Sequence, residues 1–159
     1  MSLAPRLIIF DFDGVVADSE AIANQALADY LTSLGKPTTL DDSIRMFMGK
    51  RFEDTKRLAV EWLGRDIPDT FEQDYRAKTR VIMRRDVGPV AGATAFLDDH
   101  GHIARCVASS SSIEWLDHCV DKFGMRDHFG RNLFSATAVK HGKPAPDIFL
   151  HAAKQMDAD

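Results

Sequence analysis

Two aspartates stand one residue apart in "DFDG", Asp11 and Asp13, directly after the apolar run "RLIIF" (6–10). A carboxylate at a strand end can attack phosphorus and form an acyl phosphate. A second acid two residues on can protonate the leaving oxygen and later take a proton from water. Two like charges in one tight turn repel, so a shared proton or a cation has to offset them. Two further clusters carry suitable chemistry. Ser109 to Ser112, in "VASSSS", offer hydroxyls, and with backbone N–H groups at a helix start they suit phosphate oxygens. Lys143, in "HGKPAPD", offers positive charge for phosphoryl oxygens. Mg²⁺ would join the two carboxylates to a substrate phosphate, since it prefers carboxylates, waters and phosphate as ligands.

Each cluster also has an ordinary reading. Asp11 and Asp13 could form a solvated turn with a helix cap, the serines could cap the helix starting at Ile113, and Lys143 before a proline could be a surface lysine. It is the three together that point to a phosphate site. A calcium-binding EF-hand loop is excluded, because Gly14 is fourth where glycine must be sixth, and Val15 stands where an oxygen ligand is required. Asp18 reads as the N-cap of the first long helix and Asp147 as a first-turn acid of the last one. The six histidines and two cysteines lack metal spacing, and Cys106 reads as a core residue of a reducing compartment. Trp62, Trp115 and the phenylalanines read as core.

The elements that must position these groups follow from periodicity. "RLIIF" (6–10) is a short continuous apolar run, as in a strand covered on both faces. From about residue 16 to 85 the apolar residues recur at helical spacing in four segments with no strand between them. Gly35 and Gly64 end two of these, and Thr39 is placed to cap another. Alternation then returns: a helix over 91–101, a strand over 103–108, a helix over 112–124, a strand over 132–136 and a helix over 146–156. Strand–helix alternation predicts an α/β fold with a parallel, Rossmann-like sheet, interrupted after its first strand by a helical insert. In such sheets ligands bind beyond the carboxyl ends of the strands, where all three clusters fall.

The ordered motifs "DFDGVVADSE", "VASSSS" and "KPAPDIF" resemble those of the haloacid dehalogenase-like superfamily of phosphohydrolases, with the helical insert where that family carries a cap domain. The likeness is greatest to the branch of sugar-phosphate phosphatases, phosphoglycolate phosphatases and β-phosphoglucomutase-like enzymes. It implies a core of residues 1–15 and 86–159 and a four-helix cap of residues 16–85. It further implies Asp11 as nucleophile, Asp13 as general acid/base, both as Mg²⁺ ligands, and Ser109, Ser110 and Lys143 as phosphate ligands. Lys50 and Arg51, after Gly49, are candidate contacts for an anionic substrate. The family's fourth motif, an acidic pair after a further strand, has no counterpart before "HAAKQMDAD". The last part of the core and the third acidic metal ligand are therefore expected to be absent from this chain.

Mutase relatives carry a histidine where Ala23 stands and an arginine where Phe52 stands, which disfavours mutase chemistry here. The expected activity is Mg²⁺-dependent hydrolysis of a small phosphomonoester. The alternatives are a mutase and a non-catalytic binder of phosphorylated ligands; a signalling receiver is disfavoured by the DxDG spacing and the large insert. With 45% hydrophobic and 28% charged residues among 159 and a net charge of −4, the composition is that of a globular protein with no general basic surface for nucleic acid. No apolar run approaches the roughly 20 residues of a membrane span. "MSLAPR" contains no secretory apolar segment, so the expected location is the cytoplasm. The expected partner is a small phosphorylated metabolite.

Overall fold

A computed structural model describes residues 5–158; the reading of the N-terminus as lacking a secretory segment rests partly on residues outside that range, as does Asp159. The chain divides into two compact units, one of residues 5–18 and 88–158, the other Ser19–Val87.

The first unit is α/β. Strands β1 (Leu7–Phe10), β2 (Ala104–Ser109) and β3 (Leu133–Ser135) form a parallel sheet in the order β1-β2-β3. The fold class is the one the alternation implied. Ile9 pairs with Cys106 and Phe10 with Val107, so successive side chains point to opposite faces. On one face Cys106 and Ala108 pack against Ile148 and Ala152 of helix α8 (Asp147–Gln155), with Leu7, Ile9 and Phe134 around them. On the other face Phe10 meets the edges of Phe96 and Phe129. Central β2 is buried from Arg105 to Ser109, whereas all four residues of β1, an outer strand of the sheet among the described residues, are only half-buried. The expectation of cover on both faces therefore holds for β2 and not for β1.

Arg105 is the odd residue in this apolar strand, with only 7% of its surface exposed. Its guanidinium donates to the carbonyls of Leu97, His100 (2.9 Å) and Ile103 (3.3 Å). These are carbonyls at and beyond the C-terminus of helix α5 (Ala93–Asp99), which lack intrahelical partners and favour a cation. Helices α6 (Ile113–Lys122) and α7 (Arg126–Phe129) join β2 to β3. Ser112 caps α6 by accepting from Trp115 N–H.

The second unit contains four helices: α1 (Glu20–Ser33), α2 (Leu40–Phe47), α3 (Phe52–Leu63) and α4 (Phe71–Asp86). Leu27, Tyr30, Leu31, Phe47, Ala59 and Phe71 form its core. Thr39 and Asp42 make a reciprocal capping box at the start of α2, as Thr39's position suggested. Gly64 ends α3 at φ +67°, a conformation that favours glycine.

Asp18 is not the cap of α1. Its N–H donates to Gly88 O (2.9 Å), and Ser19 takes the N-cap position. The same pairing explains where the units divide. Val90 N–H donates to Val16 O (2.9 Å) and Ala17 bridges Pro89, so residues 16–18 and 88–90 are stitched together within the α/β unit.

Candidate active site

The carboxyl ends of the three strands bring the chemically capable side chains of the α/β unit together. After Phe10 burial alternates over the next three residues: Phe12 is fully buried, Asp11 is exposed and Asp13 half-buried. The one-residue spacing thus turns both carboxylates away from the core. Gly14, at φ +76°, starts the turn that follows, and Val16 and Ala17 N–H both return to Phe12 O (2.8 and 3.0 Å).

Asp11 Oδ1 accepts from Phe12 N–H at 2.7 Å and pairs with Lys143 Nζ, also at 2.7 Å. Both partners hold the same oxygen. Oδ2 takes no hydrogen bond among the described residues. The side chain of Asp11 is 47% exposed and that of Lys143 only 22%, so the lysine is the more enclosed partner.

Asp13 Oδ2 accepts from Ser111 Oγ at 2.6 Å. Ser111 is itself fixed on two sides. Its N–H donates to Ser109 Oγ (3.0 Å), and its carbonyl accepts from Ser135 Oγ (2.7 Å) at the end of β3. Ser109, the last residue of β2, is 1% exposed, while Ser110 is exposed. Asp11, Asp13, Ser109 and Lys143 therefore gather at one end of the sheet, and Ser110 stands on the same turn.

Nothing in the residue pattern sets Ser111 apart within the serine run or marks Ser135. Their signal was weak: four consecutive serines look alike, and Ser135 was visible only as the end of a three-residue strand. The helix start beyond the serines is partly occupied. Glu114 is held below the usual carboxylate range by its own backbone N–H and by the Ser112 hydroxyl.

Lys50 and Arg51 lie in the helical unit, in the link between α2 and α3, and both are exposed. Arg51 is the N-cap residue of α3, and its carbonyl accepts from Thr55. Lys50 lines a cavity of about 210 Å³ within that unit, together with Glu20, Ala23, Asn24, Phe52 and Tyr75. Asn24 is held there by Ser43 Oγ, which donates to its side-chain oxygen (3.1 Å).

Among the described residues no group of three or more His, Cys, Asp or Glu side chains is arranged so that it could hold a metal ion by itself. The donors at the turn are nevertheless hard oxygens, which fits magnesium, an ion that takes one or two carboxylates and fills its remaining positions with water and substrate phosphate.

The first unit is thus an α/β domain with a parallel sheet that carries an acid pair, a serine turn and a lysine at its carboxyl edge. Comparison with known proteins gives the class its family. The haloacid dehalogenase-like hydrolase family matches residues 5–159, and the chain belongs to it. It is 27% identical to 6-phosphogluconate phosphatase of Escherichia coli over 96% of this chain and 69% of that one. It is 29% identical to hexitol phosphatase B of the same organism, covering 98% and 72%. A solved structure of a conserved haloacid dehalogenase-like protein from Agrobacterium tumefaciens superposes with a TM-score of 0.85 at 30% identity, covering 96% and 69%. Among the described residues no helix is long and apolar enough to cross a membrane.

Proposed function

We propose that this chain is a Mg²⁺-dependent phosphatase that hydrolyses a small phosphomonoester of the sugar-phosphate kind through an aspartyl-phosphate on Asp11. The observation that carries the reading is Asp11 itself: Oδ1 is clamped by Lys143 and the Phe12 N–H, and Oδ2 is presented free. The relatives named 6-phosphogluconate phosphatase and hexitol phosphatase B support phosphorylated, polyhydroxylated substrates.

In the first step Asp11 Oδ2 bonds to phosphorus as the bond to the ester oxygen breaks. Protonated Asp13 gives its proton to that leaving oxygen. In the second, water attacks the phosphorus of the acyl phosphate and gives a proton to the Asp13 carboxylate. The bond between phosphorus and Asp11 then breaks, which releases inorganic phosphate and restores both acids. Lys143 stabilises the charge on the phosphoryl oxygens in both steps, and the turn Ser109–Ser110 contributes hydroxyl and N–H donors. Asp11 and Asp13 would hold the magnesium ion, which when bound offsets the negative charge of the phosphoryl group and of the acid pair.

We assign the helical unit the role of cap, with substrate choice among its tasks. Lys50 and Arg51 are its candidate contacts to anionic substrate groups. Ala23 and Phe52, where mutases carry histidine and arginine, favour hydrolysis over mutase chemistry. The test is phosphate release from a panel of phosphomonoesters with and without Mg²⁺. Release confined to the magnesium samples supports the reading, and turnover indifferent to magnesium and chelator contradicts it.

A further inference from the structure

We propose that Phe149 is a positioning residue for the reaction: its ring holds the Lys143 ammonium against Asp11. The inference rests on the reading of Asp11 as nucleophile and of Lys143 as its phosphate-stabilising partner.

Phe149 was expected in the core, yet it is 37% exposed. The reason lies in the geometry of α8. Ile148 and Ala152 point into the sheet and are fully buried, and a residue next to Ile148 is turned about 100° away from it around the helix axis. That turn sets the Phe149 ring beneath Lys143, with Nζ 5.0 Å from the ring centroid and, at the same time, 2.7 Å from Asp11 Oδ1. A cation within about 6 Å of an aromatic centroid is attracted by the negative face of the ring.

Lysine needs such a support. Its charge sits on a flexible four-carbon stem, unlike the planar fork of arginine. One of its three N–H donors is engaged by Asp11, and the ring takes a second side of the ammonium without consuming an acceptor. The remaining donor capacity is kept for phosphoryl oxygens.

Both partners are also tied to one frame. Asp147, the first residue of α8, accepts from His141 N–H (3.3 Å), and its Oδ2 lies 3.0 Å from His141 Nδ1. Ala145 N–H closes the loop onto Gly142 O (3.0 Å). The loop that carries Lys143 and the turn that carries Phe149 are thereby fixed to the same helix end.

The experiment compares wild type, Phe149→Leu and Phe149→Tyr in the 159-residue chain. Leucine keeps apolar bulk but has no ring; tyrosine keeps the ring face. The first readout is the rate at which acetic anhydride modifies Lys143, measured by peptide mass, which needs no turnover. The second is kcat and KM for phosphate release. Loss of a cation–π contact at a partly exposed site predicts Lys143 modification about fivefold faster in Phe149→Leu, and a kcat about fivefold lower with KM little changed. Phe149→Tyr should match wild type in both.

Equal modification rates in wild type and Phe149→Leu, or a tyrosine variant behaving like leucine, overturn the positioning role. Faster modification with unchanged kcat overturns its bearing on the reaction. If wild type releases no phosphate but the modification rates follow the expected order, the contact stands and the phosphatase reading falls instead.

Discussion

Lys143 Nζ lies 2.7 Å from Asp11 Oδ1, joining the segment before the last helix to the end of the first strand. Such a pair could be a structural ion pair or part of a reaction centre, and magnitudes separate the two. With the Asp11 side chain 47% exposed, an ion pair of this kind contributes at most about 1 kcal/mol to stability. Aimed at a phosphoryl group, the same lysine stabilises charge that develops in the transition state, which is worth roughly 10²–10³ in rate. Lys143→Met should therefore shift the urea midpoint little while lowering kcat by about two to three orders of magnitude. Equal stability and undiminished kcat would assign the lysine to neither role.

Ser111→Ala removes the hydroxyl that donates to Asp13 at 2.6 Å. A hydrogen bond to a charged group is worth about 1.5–3 kcal/mol, so an ill-positioned Asp13 should lower kcat roughly ten- to a hundredfold. The loss should be greater for alkyl phosphates, whose leaving oxygen needs a proton, than for nitrophenyl phosphate, whose leaving group departs as the anion. Equal losses on both would mean that Ser111 acts on the phosphate rather than through the acid.

Tyr30 gives the helical unit a pH dependence. Burial, reinforced by its hydrogen bond to Asp74 (3.0 Å), raises the Tyr30 hydroxyl to about 12 from an ordinary value of 10.0. The unfolded chain loses this proton first, so the folded state binds more protons between pH 10 and about 12, and stability falls as pH rises through that window. Below pH 10 the contribution is fully present. Urea midpoints measured from pH 9 to 11.5 should decline more steeply for wild type than for Tyr30→Phe. Parallel slopes would show that Tyr30 is not the group responsible.

Cys106 is fully buried in β2, and burial raises its thiol to about 11. The thiolate is the reactive form. Cys106 should therefore resist iodoacetamide at pH 8 in the folded chain and react once the chain is unfolded in urea. Modification in the native state at the rate of a free cysteine would contradict the packing around β2.

Much of this was legible in the sequence, for identifiable reasons. Long periodic segments show their faces, which is why α1 to α4, α6 and α8 and the strands at 7–10 and 104–109 could be read off. Helix α7 has four residues and the turn at Ala136–Ala138 three, too few for a period to register. The gathering of Asp11, Asp13 and Lys143 was foreseeable from the rule that ligands bind beyond strand ends. Which serine faces Asp13 was not, since the four serines differ only in where the turn points each one. Phe149 was misread because its neighbour Ile148 carries the helix's burial, and a one-residue offset on a helix changes the face.

The most direct test of the central claim is to trap the acyl phosphate. The chain would be mixed with Mg²⁺ and a phosphomonoester that it hydrolyses, quenched with borohydride, which reduces an acyl phosphate to the alcohol, and digested for peptide mass analysis. The account predicts homoserine at position 11, dependent on substrate and absent from Asp11→Asn, which should also release no phosphate. Phosphate release with Asp11 unmodified, or with homoserine at position 13 instead, would contradict it.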